Sequence, residues 1–276
     1  MASLLERYAE LMEDKDSVLC VGLDPALPRQ RAKNIIASKY LDGADETEAK
    51  LNFCLDIINK TADSAIAAKP NEQYIKGFTT QQHRKLVEHI HSHNLLSVLD
   101  YKLGDIADTA ESNLFWIHEC GYDAITVHTQ QGNLGEIVRM AHGYSPPIGI
   151  IALVLMSNPE AVKYMKEATL RGKPVYLAIA EDVKATGADG FVIGATGHVT
   201  EEDIRAVRSI VGEDKLALVP GVGEQKGDPE KVVRNIGRNV LINVGRAIIY
   251  SDDPGKISEE YNRMFNDARE KYSVNI

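Results

Sequence analysis

Cysteine is scarce in this sequence: Cys20, Cys54 and Cys120 stand far apart and form no C-x-x-C pair. That spacing offers no disulfide framework and argues for a reducing compartment over secretion. Long apolar runs are missing too, since no uninterrupted stretch is long enough to cross a bilayer. The opening residues, MASLLERYAELMEDKD, carry too many charges for the apolar region of a signal peptide. Positive charge is in deficit: a formal net charge of -9 and a pI near 5.4 argue against nucleic-acid polymers and anionic membranes as partners. These absences point to a cytoplasmic protein, in which any anionic ligand is held by a local site.

What is present is an ordinary globular composition, 44% hydrophobic and 26% charged over 276 residues. No linker or shift in composition breaks the chain, so one domain over residues 1–276 is expected. Residues 3–14 read as an N-terminal helix, with Ser3 as N-cap and Leu4, Leu5, Tyr8, Leu11 and Met12 on one face. A helical excursion at about 25–64 follows the first apolar run, with two helical segments, the second near 46–62. A repeating rhythm then sets in. SVLCVGLD, AIAAKP, LLSVLDYK, DAITVH, IGIIALVL, DGFVIGA, LALVPG and NVLINVG are short apolar runs, each followed by a helical pattern. Near-continuous Val/Ile/Leu runs without alternation describe parallel strands buried on both faces. Eight βα units at this length suggest an α/β fold of the (β/α)8 TIM-barrel type, with a doubly wound sheet as the alternative.

A barrel keeps its functional residues at the C-terminal ends of its strands. Here those ends read Asp24, Lys69, Asp100 with Lys102, His128, Ser157, Gly194, Pro220-Gly221 and Gly245-Arg246. In an extended strand Asp100 and Lys102 share a face, and Asp105 and Asp108 follow closely. An isolated D-x-K is most simply a strand-end salt bridge, but charged and polar residues recur at that one end of the strands here. The last two strands suggest a phosphate site, because PGVGEQKGD is a Gly-rich loop and NVGRAI follows the eighth strand. Backbone amides at such turns favour an anion. Gln225 can donate through its amide, and Arg246 can hold two phosphate oxygens at once.

VGLDP, Lys69-Pro70, DYKLGDIADTA, MSNP, PGVGEQKGD and NVGRAI also occur in the order seen in orotidine 5′-monophosphate decarboxylases. The sequence resembles that family over nearly its whole length, and the long excursion resembles its longer bacterial and archaeal-type branch. Lys226 departs from the pattern, standing where the family often has glycine. By resemblance, Lys102 is the proton donor to C6 of the pyrimidine and Asp100 lies beside the departing carboxylate. Asp105, followed by Ile106 and Thr109, resembles the segment given to a neighbouring subunit's site, which implies a homodimer with shared active sites. Asp24 and Lys69 resemble ribose and network partners, and Ser157 the contact to the pyrimidine's amide edge. Pro220 belongs to the matching substrate-binding loop, and Gln225, Gly245 and Arg246 resemble the phosphate grip. The resemblance implies no cofactor and no metal.

Two other readings stay open at this level. Related phosphosugar barrels, such as hexulose-phosphate synthases, share a D-x-K-x-x-D but use magnesium, with an acidic residue where this chain has Lys69. A non-catalytic phosphate-ligand binder would not need Asp100, Lys102 and Asp105 together. His89, His91 and His93 invite a metal reading but are expected to be exposed helix-terminal histidines. His128 is expected to be a satisfied core or supporting histidine, Cys20 and Cys54 small buried residues, and Trp116 helix packing.

Overall fold

The eight apolar runs form eight parallel strands. The computed structural model describes residues 3–223 and 227–272. The strands are β1 (Leu19–Leu23), β2 (Ala67–Pro70), β3 (Leu96–Leu103), β4 (Ala124–Val127), β5 (Gly149–Leu155), β6 (Gly190–Ile193), β7 (Leu216–Pro220) and β8 (Val240–Val244). They close into a barrel in sequence order, β8 pairing with β1 through Leu19–Ile242 and Val21–Val244. This is the (β/α)8 architecture expected from the rhythm of the sequence. Strands β1, β2, β4, β5 and β6 are buried along their whole length, as strands covered by helices outside and packed side chains inside must be.

One end of the barrel is sealed. The helix Leu4–Lys15 starts at Ser3, whose side chain forms a capping box with Glu6. Its fully buried Tyr8 donates to the Val240 carbonyl at 2.9 Å, at the start of β8. Arg7 pairs with Asp123, immediately before β4, and Leu4 packs on Gly149 at the start of β5. The helix therefore lies across the N-terminal ends of the strands and leaves the C-terminal ends open.

Two connections differ from expectation. The excursion after β1 contains one long helix, Glu46–Thr61, capped by Asp45. The segment before it holds only a three-residue 3₁₀ turn, Ser38–Tyr40, and Pro25 and Pro28 interrupt the chain at its start. After β5 the chain makes a π-helical turn, Val162–Glu167, and a short antiparallel ladder of Thr169–Leu170 with Lys173–Pro174. Arg171 and Gly172, both at positive φ, form its tip.

The capping box expected at Thr200 and Asp203 is present. Asp203 also accepts from Lys166 at 2.6 Å and from the Tyr176 hydroxyl at 2.9 Å, which ties the β5–β6 connection to the following helix. Among the described residues no helix is long and apolar enough to cross a membrane.

Candidate active site

At the open end of the barrel, three charged side chains from two adjacent strands meet. Lys69, at the end of β2, is 5% exposed and donates to Asp100 Oδ2 at 2.6 Å. Lys102 donates to the other oxygen, Oδ1, at 2.5 Å. Burial alone would raise the carboxyl's pKa, but the two ammoniums override it and hold Asp100 well below the usual carboxylate range. For Lys69 burial disfavours the charge, yet Asp100 and Asp24 outweigh that penalty and raise its pKa. The cluster is a largely buried carboxylate with one ammonium on each oxygen.

Simple alternation along β3 does not produce this geometry. Lys102 sits at φ +57°, the left-handed region that side chains with a Cβ rarely adopt. Pairing with β4 shifts between Leu99–Ile125 and Leu103–Val127, so residues 100–102 form a bulge. Thr126, in the middle of β4, accepts the Lys102 backbone N–H at 3.0 Å and donates to Asp100 Oδ1 at 3.1 Å. Next to Lys69, Asn71 donates to Asp24 Oδ1 at 3.0 Å.

Two cavities, of about 180 and 220 Å³, share Lys69, Asp100 and Pro220 in their walls. The first is polar and runs past Asp24, Asn71 and Asn243 to Gly221, Gly245 and Arg246. Gly22 and Gly245 let the ends of β1 and β8 approach there, since a Cβ on Gly22 would lie 3.2 Å from Gly245 Cα. The second cavity is walled by Leu153, Met156, Val192 and Leu218, with Lys102, Thr126 and Ser157 at its polar points. Ser157 rests against Gly194, where a Cβ would come within 2.6 Å of the serine side chain.

The expected residues thus divide into three groups. Lys102, Asp100, Asp24, Lys69, Ser157, Pro220, Gly245 and Arg246 line the paired cavities. Asp105, Ile106 and Thr109 line neither; all three are exposed, Ile106 at 58%. Gln225 and its neighbour Lys226 lie outside the described residues. Asn71, Thr126 and Asn243 were not singled out from sequence. Asn71 follows Lys69-Pro70 directly, and Thr126 and Asn243 are the polar residues inside two otherwise apolar strand runs, signals that were available.

The set-aside residues have structural partners. His89 contacts Asn59, and His91 contacts Asp123 at 2.9 Å; all three helix-end histidines are half-buried, not exposed. His128 contacts Gln130. Cys20 and Cys54 are fully buried as expected, while Trp116 is 55% exposed and does not pack into the core. Among the described residues no three His, Cys, Asp or Glu side chains converge to hold a metal ion.

Two known proteins of similar sequence share a name. The orotidine 5′-phosphate decarboxylase of Azoarcus sp. is 35% identical over 251 residues, 87% of each chain. That of Cupriavidus necator is 35% identical over 260 residues, 89% of each. Among solved structures, a putative orotidine-monophosphate-decarboxylase from Toxoplasma gondii superposes with a TM-score of 0.83 over 98% of this chain and 97% of its own, at 24% identity. Leishmania donovani UMP synthase superposes at 0.81 and 25% identity, over 98% of this chain and 57% of its own. Residues 17–261 match the family model for these proteins, and the chain belongs to the orotidine 5′-phosphate decarboxylase / HUMPS family.

Proposed function

We propose that this chain catalyses the cofactor-free decarboxylation of orotidine 5′-monophosphate to uridine 5′-monophosphate in de novo pyrimidine biosynthesis, with Lys102 protonating C6. The observation that carries the proposal is the Lys69–Asp100–Lys102 array at the junction of a polar and an apolar cavity. A nucleotide has that same division. Its phosphate suits Gly245 and Arg246, to which the family resemblance adds Gln225; its ribose suits Asp24 and Lys69. Its pyrimidine suits the apolar walls, with Ser157 at the amide edge and Pro220 between the two halves.

In the reaction, the bond from C6 to the carboxylate breaks, carbon dioxide leaves, and the electron pair stays on C6. No electron sink is needed if an ammonium stands at that carbon, because it stabilises the charge as it develops and then delivers its proton. Lys102 takes that role and regains its proton from water. Two unit charges about 4 Å apart interact by roughly 4 kcal/mol at an effective dielectric near 20. The ammonium therefore supplies part of the barrier reduction, and binding of phosphate and ribose supplies alignment. Both oxygens of Asp100 already carry an ammonium, so the cluster suits charge stabilisation by lysine better than a divalent ion, the chemistry of related phosphosugar barrels.

The proposal extends to a homodimer. Asp105, Ile106 and Thr109 are exposed at the start of the helix Ala107–Cys120 and line neither cavity of their own barrel. That arrangement suits residues that complete a neighbour's site. Three buried free thiols fit a cytoplasmic setting.

The test is spectroscopic. Purified protein should consume orotidylate absorbance at the same rate with and without EDTA, and Lys102→Ala should reduce that rate at least about a thousandfold. Activity that EDTA abolishes would favour the metal-dependent chemistry, and binding without turnover would favour a ligand-binding protein.

A further inference from the structure

The bulge in β3 leaves backbone and side-chain groups that a regular ladder would have occupied. Because pairing jumps from Leu99–Ile125 to Leu103–Val127, residues Asp100, Tyr101 and Lys102 stand opposite Thr126 alone. One hydroxyl there replaces the missing ladder. Thr126 Oγ1 accepts the Lys102 N–H at 3.0 Å and gives its own proton to Asp100 Oδ1 at 3.1 Å. Lys102 Nζ reaches that same oxygen at 2.5 Å. The hydroxyl uses its single donor and a lone pair on the two residues that bracket the bulge.

Three features make this contact a fixed one. Thr126 is 2% exposed, so water does not compete for its hydroxyl. Its β-branched side chain is stiff at χ1, and the strand sets the direction of Oγ1. The left-handed conformation of Lys102 (φ +57°) is intrinsically unfavourable and persists only where neighbours hold it. Threonine is not needed here for packing, because valine has the same shape and suits a strand at least as well.

We infer that Thr126 is a positioning residue for the decarboxylation: its hydroxyl locks the β3 bulge so that the Lys102 ammonium and the Asp100 carboxylate stay side by side at the cavity junction. It acts through those two residues, on which its hydroxyl spends its one donor and an acceptor site. The inference rests on the proposed decarboxylase activity for its kinetic consequences, but not for its structural one.

Thr126→Val removes the hydroxyl and keeps the shape, whereas Thr126→Ser keeps the hydroxyl. With orotidylate as substrate, kcat of Thr126→Val should fall about tenfold to a hundredfold, the usual effect of misplacing a reacting group by about an ångström. KM should change less than about threefold, and Thr126→Ser should retain most of the wild-type kcat, a split that loss of packing would not give. A crystal structure of Thr126→Val should show Lys102 out of the left-handed region or its ammonium withdrawn from Asp100. Thr126→Ala carries the same expectations should the valine variant not fold. Wild-type kcat in the valine variant, equal losses in the valine and serine variants, or an unchanged bulge in the crystal would each overturn the inference. If the wild type itself fails to turn over orotidylate, the functional proposal falls, and the crystal structure still decides the role of Thr126.

Discussion

Asp100 holds two ammoniums at once, and the two bonds differ in weight. The Lys69 side chain is 7% exposed and that of Lys102 is 40% exposed, so solvent screens the second far more than the first. Asp100→Asn would leave Lys69 as a buried ammonium without its carboxylate. Removing one partner of such a pair typically costs about 3–5 kcal/mol, and a loss near the lower figure is expected at pH 7. The folded carboxyl titrates below its ordinary range, so its stabilisation is complete above about pH 4 and drains away as the pH falls further. Each pH unit below that point should narrow the gap between wild type and variant by up to about 1.4 kcal/mol. Urea unfolding at pH 7 and pH 3 measures both quantities, and a gap independent of pH would show that Asp100 is not held ionised by its partners.

At the level of elements, the loop carrying Ser157 is positioned by the end of β6. A Cβ on Gly194 would lie 2.8 Å from Ser157 Cα and 2.9 Å from its nitrogen, contacts that backbone cannot relieve by rotating a side chain. Gly194→Ala should push Ser157 out of the apolar cavity. Loss of one such contact, about 1.4 kcal/mol, is a tenfold rise in KM for orotidylate, with a smaller effect on kcat; an unchanged KM would remove Ser157 from the proposed binding set. The strand runs, their polar C-terminal ends, the N-cap at Ser3 and the capping box at Thr200 were legible in the sequence because each depends on neighbours a few residues away. The bulge at residues 100–102 was not, since its register belongs to β4 as much as to β3. Alternation predicted the right pair of residues by the wrong route: Asp100 and Lys102 meet through a left-handed residue, not along an extended strand. Nothing in the sequence beyond its polarity marks Thr126, because threonine in an apolar strand is common. The excursion holds one long helix where two helical segments are expected, and Pro25 and Pro28 interrupt the start of the first.

For the whole molecule, the N-terminal helix closes one mouth of the barrel and the chemistry gathers at the other. That leaves the helix Ala107–Cys120 with an unusual surface. Thr109, Asn113 and Trp116 fall on one stripe, Ile106 precedes it at the N-cap, and Phe115 flanks it. Ile106, Phe115 and Trp116 are exposed by 58, 46 and 55%, and neighbouring exposed apolar side chains are a feature of interaction surfaces. Trp116 was expected to serve helix packing, and a sequence cannot distinguish packing within the chain from packing against a second copy. In the proposed homodimer this stripe is the two-fold interface, and Asp105 of each protomer is proposed to complete its neighbour's site. The consequence is numerical. Lys102→Ala and Asp105→Ala homodimers should each be nearly inactive, but a hybrid holds one site with both defects and one site with neither. Equal mixing with full exchange makes about half of the dimers hybrid, so about a quarter of wild-type activity should return. Native mass spectrometry of the mixture establishes exchange. Hybrids that form without any recovered activity would place Asp105 in its own subunit's site or outside the reaction altogether.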